Sequence, residues 1–201
     1  MKFTELSNSV FNQVITNYHE FDDVDTPINN PYELRSIEYY LYLKNWIDTV
    51  QWHLEDIIRD PDIAPKEALA IKRRIDQSNQ DRTDLVERID TYFYEQLKAV
   101  LPKEGAKLNT ESPAWALDRL SILHVKLWHM REQVNRKDVS EAQQTKCANK
   151  LAILEQQYAD LSTAITQLLE DMKAGERIMK VYRQMKMYND PTLNPILYGK
   201  K

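Results

Sequence analysis

Apolar residues recur every three or four positions through most of the chain, which is the spacing of one face of an α-helix. The stretch 139–188 has the longest such pattern, with steps of four and three that join Cys147, Leu151, Leu154, Tyr158, Leu161, Ile165, Leu168 and Met172. This heptad spacing predicts a coiled-coil seam, and Gly175 in the same register predicts a close approach or a bend. Shorter apolar stripes in 32–60 and 65–101 can be buried only against other helices.

Proline separates these patterns, because it is tolerated in the first turn of a helix and breaks the interior. The eight prolines form four pairs, which are Pro27 and Pro31, Pro61 and Pro65, Pro102 and Pro113, and Pro191 and Pro195. A capping residue stands directly before the proline in Asn30-Pro31-Tyr32-Glu33 and in Ser112-Pro113. Asp138-Val139-Ser140-Glu141 is a capping box without a proline. The predicted helices are 4–20, 32–60, 65–101, 113–136 and 139–188.

These segments predict an all-α fold, an elongated antiparallel bundle of about five helices of which several are unusually long. We expect one helical-bundle domain over 1–188 and an irregular C-terminal tail over 189–201. No stretch approaches the roughly twenty apolar residues of a membrane span, and no apolar run at the N-terminus resembles a signal peptide. The expected location is therefore the cytoplasm, with no membrane partner.

Composition excludes several functions. The net charge of -4 argues against a dedicated nucleic-acid binder, which needs a strongly basic face. The three glycines do not form a phosphate-binding loop, and the single Cys147 excludes an internal disulfide and a multi-cysteine zinc site. No nucleophile with a recognisable base partner is present, so no catalytic residue is assigned.

Polar residues lie on helix faces that should be apolar, and these are the candidate site residues. They are Asn45 and Asp48 in the second predicted helix, Asn79 and Arg82 in the third, and Asp118 and Arg119 in the fourth. One interpretation is a structural network in which a buried carboxylate pairs with Arg82. The other is a ligand site between the three helices, where bundles usually bind small molecules. An open cavity beside these residues would favour the second interpretation.

Two similar segments, Trp52-His53-Leu54-Glu55-Asp56 and Trp128-His129-Met130-Arg131-Glu132, place an acid three residues after a histidine. On a helix the two side chains share a face and could hold a divalent ion together. However, carboxylate bundles that bind two metals use the order Glu-x-x-His with further glutamates, and this chain has no such quartet. We therefore predict no metal site and no cofactor.

Three segments taken together resemble a bacterial domain-of-unknown-function family, number 4254. They are Lys44-Asn45-Trp46-Ile47-Asp48 leading into Trp52 to Arg59, Asn79-Gln80-Asp81-Arg82, and Ala116-Leu117-Asp118-Arg119-Leu120-Ser121-Ile122-Leu123. The resemblance implies an uncharacterised all-α protein of the bacterial cytoplasm, over most of the chain. It implies no reaction, ligand or catalytic residue.

Two functional hypotheses remain open. The first is a non-catalytic interaction or scaffold module that self-associates or docks a partner protein through its long helices. The alternative is a small-ligand binder or an enzyme of the nucleotide or sugar-phosphate class that uses the polar residues between helices two, three and four. The long apolar seam favours the first hypothesis, and the absence of recognisable catalytic residues leans against an enzyme.

Overall fold

A computed structural model describes residues 2–199, and this part of the chain forms six helices. They are α1 (Phe3–His19), α2 (Ile37–Ile57), α3 (Pro65–Leu97), α4 (Pro113–Asn135), α5 (Glu141–Lys173) and the short α6 (Pro195–Tyr198). The predicted all-α bundle is confirmed. The only extended pairing among the described residues is an isolated bridge between Lys107 and Arg177.

The start of α2 differs from the prediction by five residues, because the segment at Asn30 forms a turn. The Asn30 side chain accepts a hydrogen bond from the Tyr32 N–H at 3.1 Å, which closes a local turn. Arg35 then adopts a positive φ of 70°, which a helix does not allow. Ser36 is the true N-cap, and its hydroxyl accepts a hydrogen bond from the Tyr39 N–H at 3.0 Å.

The end of α5 is at Lys173, so the prediction of one helix as far as 188 is wrong. Gly175 has a φ of 72°, and the N–H groups of Gly175 and Glu176 donate to the carbonyls of Met172 and Asp171 in a Schellman motif. A Cβ at Gly175 would also lie 2.7 Å from the Leu101 carbonyl oxygen. Of the two predicted alternatives at Gly175, the close approach is confirmed, and the helix ends there instead of bending.

The segment 178–194 has no regular structure and lies along α3. Arg183 pairs with Glu87 of α3, and the Lys186 ammonium donates to the Asn79 carbonyl at 3.0 Å. Several large apolar side chains of this segment remain exposed, among them Tyr182 at 72% and Met185 at 79%.

Helices α2 to α5 alternate in direction, but α1 runs parallel to α2 and α4. Phe11 packs on His124 and His19 on His129, so α1 and α4 advance together. Asn45 contacts Ser121 and His53 contacts His129, which gives the same relation for α2 and α4. The connection 20–36 is long enough to return the chain along the bundle, and it makes this parallel arrangement feasible.

The main core is formed by α1, α2, α3 and α4, with the C-terminal half of α5 packed against them. It includes Val14, Leu41, Val86, Leu117 and Ile165, each almost fully buried. Burying an aliphatic side chain of this kind stabilises a fold by roughly 1.5–3 kcal/mol. Within residues 2–199, none of the helices has both the length and the apolar character needed to cross a bilayer.

Candidate functional site

Four charged side chains from α2, α3 and α4 meet at the centre of the bundle, and we call Lys44, Asp48, Arg82 and Asp118 the charge cluster. Lys44 is 1% exposed, donates to the Asp48 carboxylate one helical turn further on, and lies 3.0 Å from Oδ1 of Asp118. Nε of Arg82 lies 3.5 Å from the same Asp118 oxygen. Two cations and two anions therefore offset each other in a region where an unpaired charge would be strongly destabilising.

Polar side chains fix the α2 end of the charge cluster to α4. The Ser121 hydroxyl donates to Asp48, and Nδ2 of Asn45 donates to the Ser121 hydroxyl at 2.9 Å and to its carbonyl at 3.2 Å. Burial raises the pKa of Asp48, and the Lys44 ammonium beside it opposes this rise. This geometry sets the register of α2 against α4.

The charge cluster is balanced in charge, but its hydrogen bonds are incomplete. Oδ1 of Asp48, Oδ1 of Asp118 and Nε of Arg82 are buried and have no hydrogen-bond partner among the described residues. Asp118 Oδ1 lies within ion-pair distance of Lys44 and Arg82, yet neither N–H bond is aimed at it closely enough for a hydrogen bond. Buried polar atoms of native proteins usually have a hydrogen-bond partner, so these three atoms are where the charge cluster retains unused hydrogen-bonding capacity.

A cleft of about 400 Å³ opens beside the charge cluster, and we call it the polar cleft. Its wall contains two members of the cluster together with residues of the outer turns, and the lining residues are Asp48, Gln51, Trp52, Glu55, Asp56, Arg59, Arg82, Ile122 and Val125. The volume is within the range of small-molecule sites, roughly 300–1,000 Å³. The adjoining cavity favours the ligand-site interpretation over a sealed network.

The structure brings together four of the six predicted site residues, namely Asn45, Asp48, Arg82 and Asp118. Asn79 is not a member of this group, but its side chain accepts a hydrogen bond at 3.1 Å from Gln51, which lines the polar cleft. Arg119 is exposed and pairs with Glu111 at 2.7 Å, so its assignment to the buried network is corrected. Successive residues on a helix point about 100° apart, so Arg119 cannot share the inward direction of Asp118.

Lys44 was not predicted as a member, although its spacing of four residues from Asp48 was a usable signal. A lysine in an amphipathic helix usually reaches solvent. The pair Lys44 and Asp48 instead faces the interior, because Asp118 and Arg82 supply the other charges there.

A second polar group lies near one end of the bundle, and we call His19, His53 and His129 the histidine cluster. One ring nitrogen of each residue lies within 4.8 Å of the others. Nε2 of each ring is buried and has no hydrogen-bond partner among the described residues. Nδ1 of His19 is bonded to the Ile15 carbonyl at 2.7 Å, and Nδ1 of His129 to the Glu132 carboxylate at 2.8 Å.

Each ring of the histidine cluster is held against a different aromatic side chain. His19 stacks on Trp128 at 4.7 Å, His53 on Tyr18 at 5.0 Å, and His129 on Trp52 at 5.0 Å between ring centroids. Burial lowers the pKa of His53, which keeps its imidazole neutral at neutral pH. Burial also raises the pKa of Tyr18 to about 12. The cluster is therefore a set of three closely packed imidazole rings, each stacked on an aromatic side chain.

The fourth histidine of the chain, His124, has a different environment. Its two ring nitrogens lie 3.1 Å and 3.0 Å from the amide oxygens of Asn12 and Asn8. Burial lowers its pKa to about 4, and the charge of Arg131 adds to this effect. His124 is thus a core residue with an asparagine side chain beside each ring nitrogen, and its neutral ring has one N–H to donate.

The sequence provided one signal for the histidine cluster, the repeated Trp-His pair at 52–53 and 128–129. In both pairs a tryptophan precedes a histidine in the C-terminal part of a helix. The two pairs are in contact, because Trp52 stacks on His129. Glu132 is hydrogen-bonded to His129, so the acid of that segment orients the ring. The contribution of His19 has no counterpart in any sequence motif.

Fold and sites together define a class, an all-α bundle that contains polar and histidine clusters between its helices. The chain belongs to the family described as protein of unknown function DUF4254, whose model matches residues 38–181. The family resemblance of the three sequence segments is thereby confirmed. No curated protein and no solved structure gives a significant match to the chain.

Proposed function

We propose that the protein binds a small phosphorylated metabolite, of the sugar-phosphate class, in the polar cleft. The observation that carries this proposal is the state of Arg82 at the cleft wall. Its side chain is 26% exposed, and its only ionic partner among the described residues is Asp118 at 3.5 Å. A guanidinium has five N–H donors in a fork that matches phosphate oxygens, so most of its binding capacity remains free.

The rest of the cleft suits the other end of such a ligand. The carboxylate oxygens of Asp48 and Glu55 can accept hydrogen bonds from hydroxyls, and Trp52 and Ile122 give the cleft an apolar wall. The carboxylates are partly offset by Lys44 and by Arg59, which pairs with Glu55 at 2.7 Å. The cleft therefore combines one available cation with several hydroxyl-binding groups.

Arg82→Gln tests the assignment, with Arg119→Gln as a matched control because Arg119 pairs with Glu111 outside the cleft. Tm and isothermal titration would be measured with ribose 5-phosphate, glucose 6-phosphate and inorganic phosphate, and with ribose and glucose as uncharged probes. A bound ligand must raise Tm. We expect binding of a phosphorylated probe that Arg82→Gln weakens at least about tenfold, as removal of a charged hydrogen bond does.

Two outcomes would count against the proposal. One is that no phosphorylated probe raises Tm or gives heat of binding. The other is that a probe binds equally well to wild type and to Arg82→Gln, which would place its site elsewhere. Catalysis is not part of the proposal, and no residue of the cleft is assigned a catalytic role.

We infer a second candidate function, a non-catalytic interaction module, from a different observation. The apolar seam of α5 gives little support to this function, because Tyr158, Leu161 and Ile165 pack on the protein's own core. The segment after α5 instead exposes large apolar side chains, including Tyr182, Met185 and Ile196. We take these exposed apolar side chains as the contact surface of the interaction module.

Self-association through the C-terminal segment is tested by light scattering of the full chain over a wide concentration range. We expect a concentration-dependent rise in mass that the double variant Tyr182→Ser, Met185→Ser reduces. A monomer at every concentration would remove self-association, and an unchanged oligomer in the double variant would remove this segment as the contact.

The proposed cellular setting is the bacterial cytoplasm. It is supported by the origin that the family resemblance implies and by the unpaired, buried Cys147, which is typical of proteins from reducing compartments. Fractionation of a bacterial host that carries the native gene would test this setting.

A further inference from the structure

We propose that the histidine cluster is a binding site for one divalent first-row transition metal ion of the zinc type, with Nε2 of His19, His53 and His129 as ligands. This inference is independent of the polar cleft. It rests on three histidines that each bring one ring nitrogen within 4.8 Å of the others, and on Nε2 atoms that are buried and have no hydrogen-bond partner in the described part of the chain.

The chemistry of the three nitrogens favours a metal ion as the group that lies between them. A neutral imidazole whose Nδ1 donates a hydrogen bond presents a lone pair at Nε2, so His19 and His129 are acceptors toward the centre of the cluster. Lone pairs directed at one another are unfavourable until a cation or a donor lies between them. Imidazole nitrogens are the preferred ligands of zinc and related ions.

The distances are close to those of a loaded site. Two nitrogens bound to one tetrahedral zinc are about 3.3 Å apart, given bonds of about 2.0–2.1 Å. The nitrogens of the cluster are within 4.8 Å of one another, so a small shift of the rings within their stacked contacts brings them to bonding distance. Oδ1 of Asp22 lies 3.7 Å from Nε2 of His53. A tetrahedral ion has four ligands, so this carboxylate or a water molecule would be the fourth.

The surroundings hold the ligands in the way that metal sites require. A metal-bound histidine usually donates its other ring N–H to a carbonyl or a carboxylate, and Ile15 and Glu132 fulfil this role for His19 and His129. The stacked rings of Trp128, Tyr18 and Trp52 restrict rotation of the three imidazoles. These contacts orient the ligands before an ion arrives.

Helix direction adds a favourable field. His19 is the last residue of α1, and His53 lies in the last turns of α2. Helix C-termini have partial negative charge, which favours a nearby cation. Two such ends meet at the histidine cluster because α1 and α2 run in the same direction.

The test uses the full chain purified without an affinity tag, stripped with a chelator and then titrated with zinc chloride or cobalt chloride. We expect one zinc ion per chain, a higher Tm on zinc addition, and the visible absorption of tetrahedral cobalt. His53→Gln and His129→Gln should each weaken zinc binding at least about a hundredfold, because each removes one of three ligands. His124→Gln is the matched control, since His124 faces Asn8 and Asn12, and it should bind zinc like wild type.

Circular dichroism and Tm of the metal-free variants would show that each one folds. The proposal is overturned if folded wild-type protein binds no stoichiometric zinc. It is also overturned if His53→Gln and His129→Gln bind zinc as wild type does, or if His124→Gln loses binding to the same extent. Failure of the sugar-phosphate proposal would leave these results unchanged, because Arg82 lies outside the histidine cluster.

Discussion

The charge cluster and the histidine cluster share helices α2 and α4, yet they handle the burial of polar groups differently. Lys44 in the charge cluster contacts two carboxylates, and each cation has an anion within ion-pair distance. The histidine cluster contains three groups of the same kind, and their buried Nε2 atoms have no partner in residues 2–199.

The charge cluster therefore supports the fold, whereas the histidine cluster is the proposed metal site. Opposite charges within the charge cluster compensate one another, so its burial needs no group from outside the chain. Arg82, which also lines the polar cleft, is the member whose free N–H groups can bind a ligand. Nε2 of His19 and Nε2 of His129 are both acceptors, and two acceptors cannot compensate each other. The divalent ion that we propose would lie between the three rings and accept these lone pairs.

The largest expected effect is from Lys44→Met, which leaves Asp48 and Asp118 buried without their shared cation. The free energy of unfolding should fall by about 3–5 kcal/mol, the usual cost of breaking a buried ion pair from one side. Urea denaturation of metal-free protein at pH 7 measures it.

Lys72→Met is a matched control for that experiment, because Lys72 and Asp76 form a pair with the same spacing whose side chains are each 54% exposed. The control should change stability by less than about 0.5 kcal/mol. Equal losses in both variants would show that the charge cluster does not stabilise the fold.

An intermediate effect is expected from acid, through His124. Its pKa falls from 6.5 to about 4 on folding, so the unfolded chain binds a proton between these values and the folded chain does not. The stability contribution of neutral His124 is complete above pH 6.5 and is lost as the pH falls towards 4. At pH 5 the loss is about 2 kcal/mol.

His124→Gln should remove this loss, which would be measured as the difference between the two proteins in unfolding free energy at pH 7 and pH 5 with chelator present. The other titrating groups contribute equally to both proteins and cancel. Parallel stability curves would contradict the assigned pKa.

The smallest expected effect is from Glu132→Gln, which acts on the histidine cluster through the hydrogen bond to His129. Loss of such an outer partner typically weakens metal binding by about 10- to 100-fold. Metal-free stability should change by less than about 0.5 kcal/mol, because the Glu132 side chain is 50% exposed.

Competition titration with zinc measures the affinity, and Glu155→Gln is the control, since Glu155 pairs with Arg131 on the neighbouring surface. Wild-type affinity in Glu132→Gln would show that the hydrogen bond does not orient a metal ligand.

The helices could be predicted from sequence because apolar spacing and proline act locally. The ends of α2 and α5 could not, since they depend on a positive φ at Arg35 and on the docking of Gly175 against Leu101. Four residues of the charge cluster and its surroundings, Asn45, Asp48, Arg82 and Asp118, were predicted because each one interrupts an apolar face.

The histidine cluster could not be predicted for a topological reason. An antiparallel pair of α1 and α2 would separate His19 from His53 by the length of the bundle. Their parallel arrangement is known only from the tertiary structure, and it brings the three rings together.

The long connection 20–36 has a consequence for the order of folding. Helices α2 and α3, and likewise α4 and α5, are joined by the short connections 58–64 and 136–140, so these two hairpins can form early from local contacts. The connection 98–112 between α3 and α4 is almost as long as 20–36. Docking of α1 requires closure of a longer loop, which costs more chain entropy. The histidine cluster is therefore complete only after both long connections have closed, and a metal ion bound there would stabilise these long-range steps of assembly.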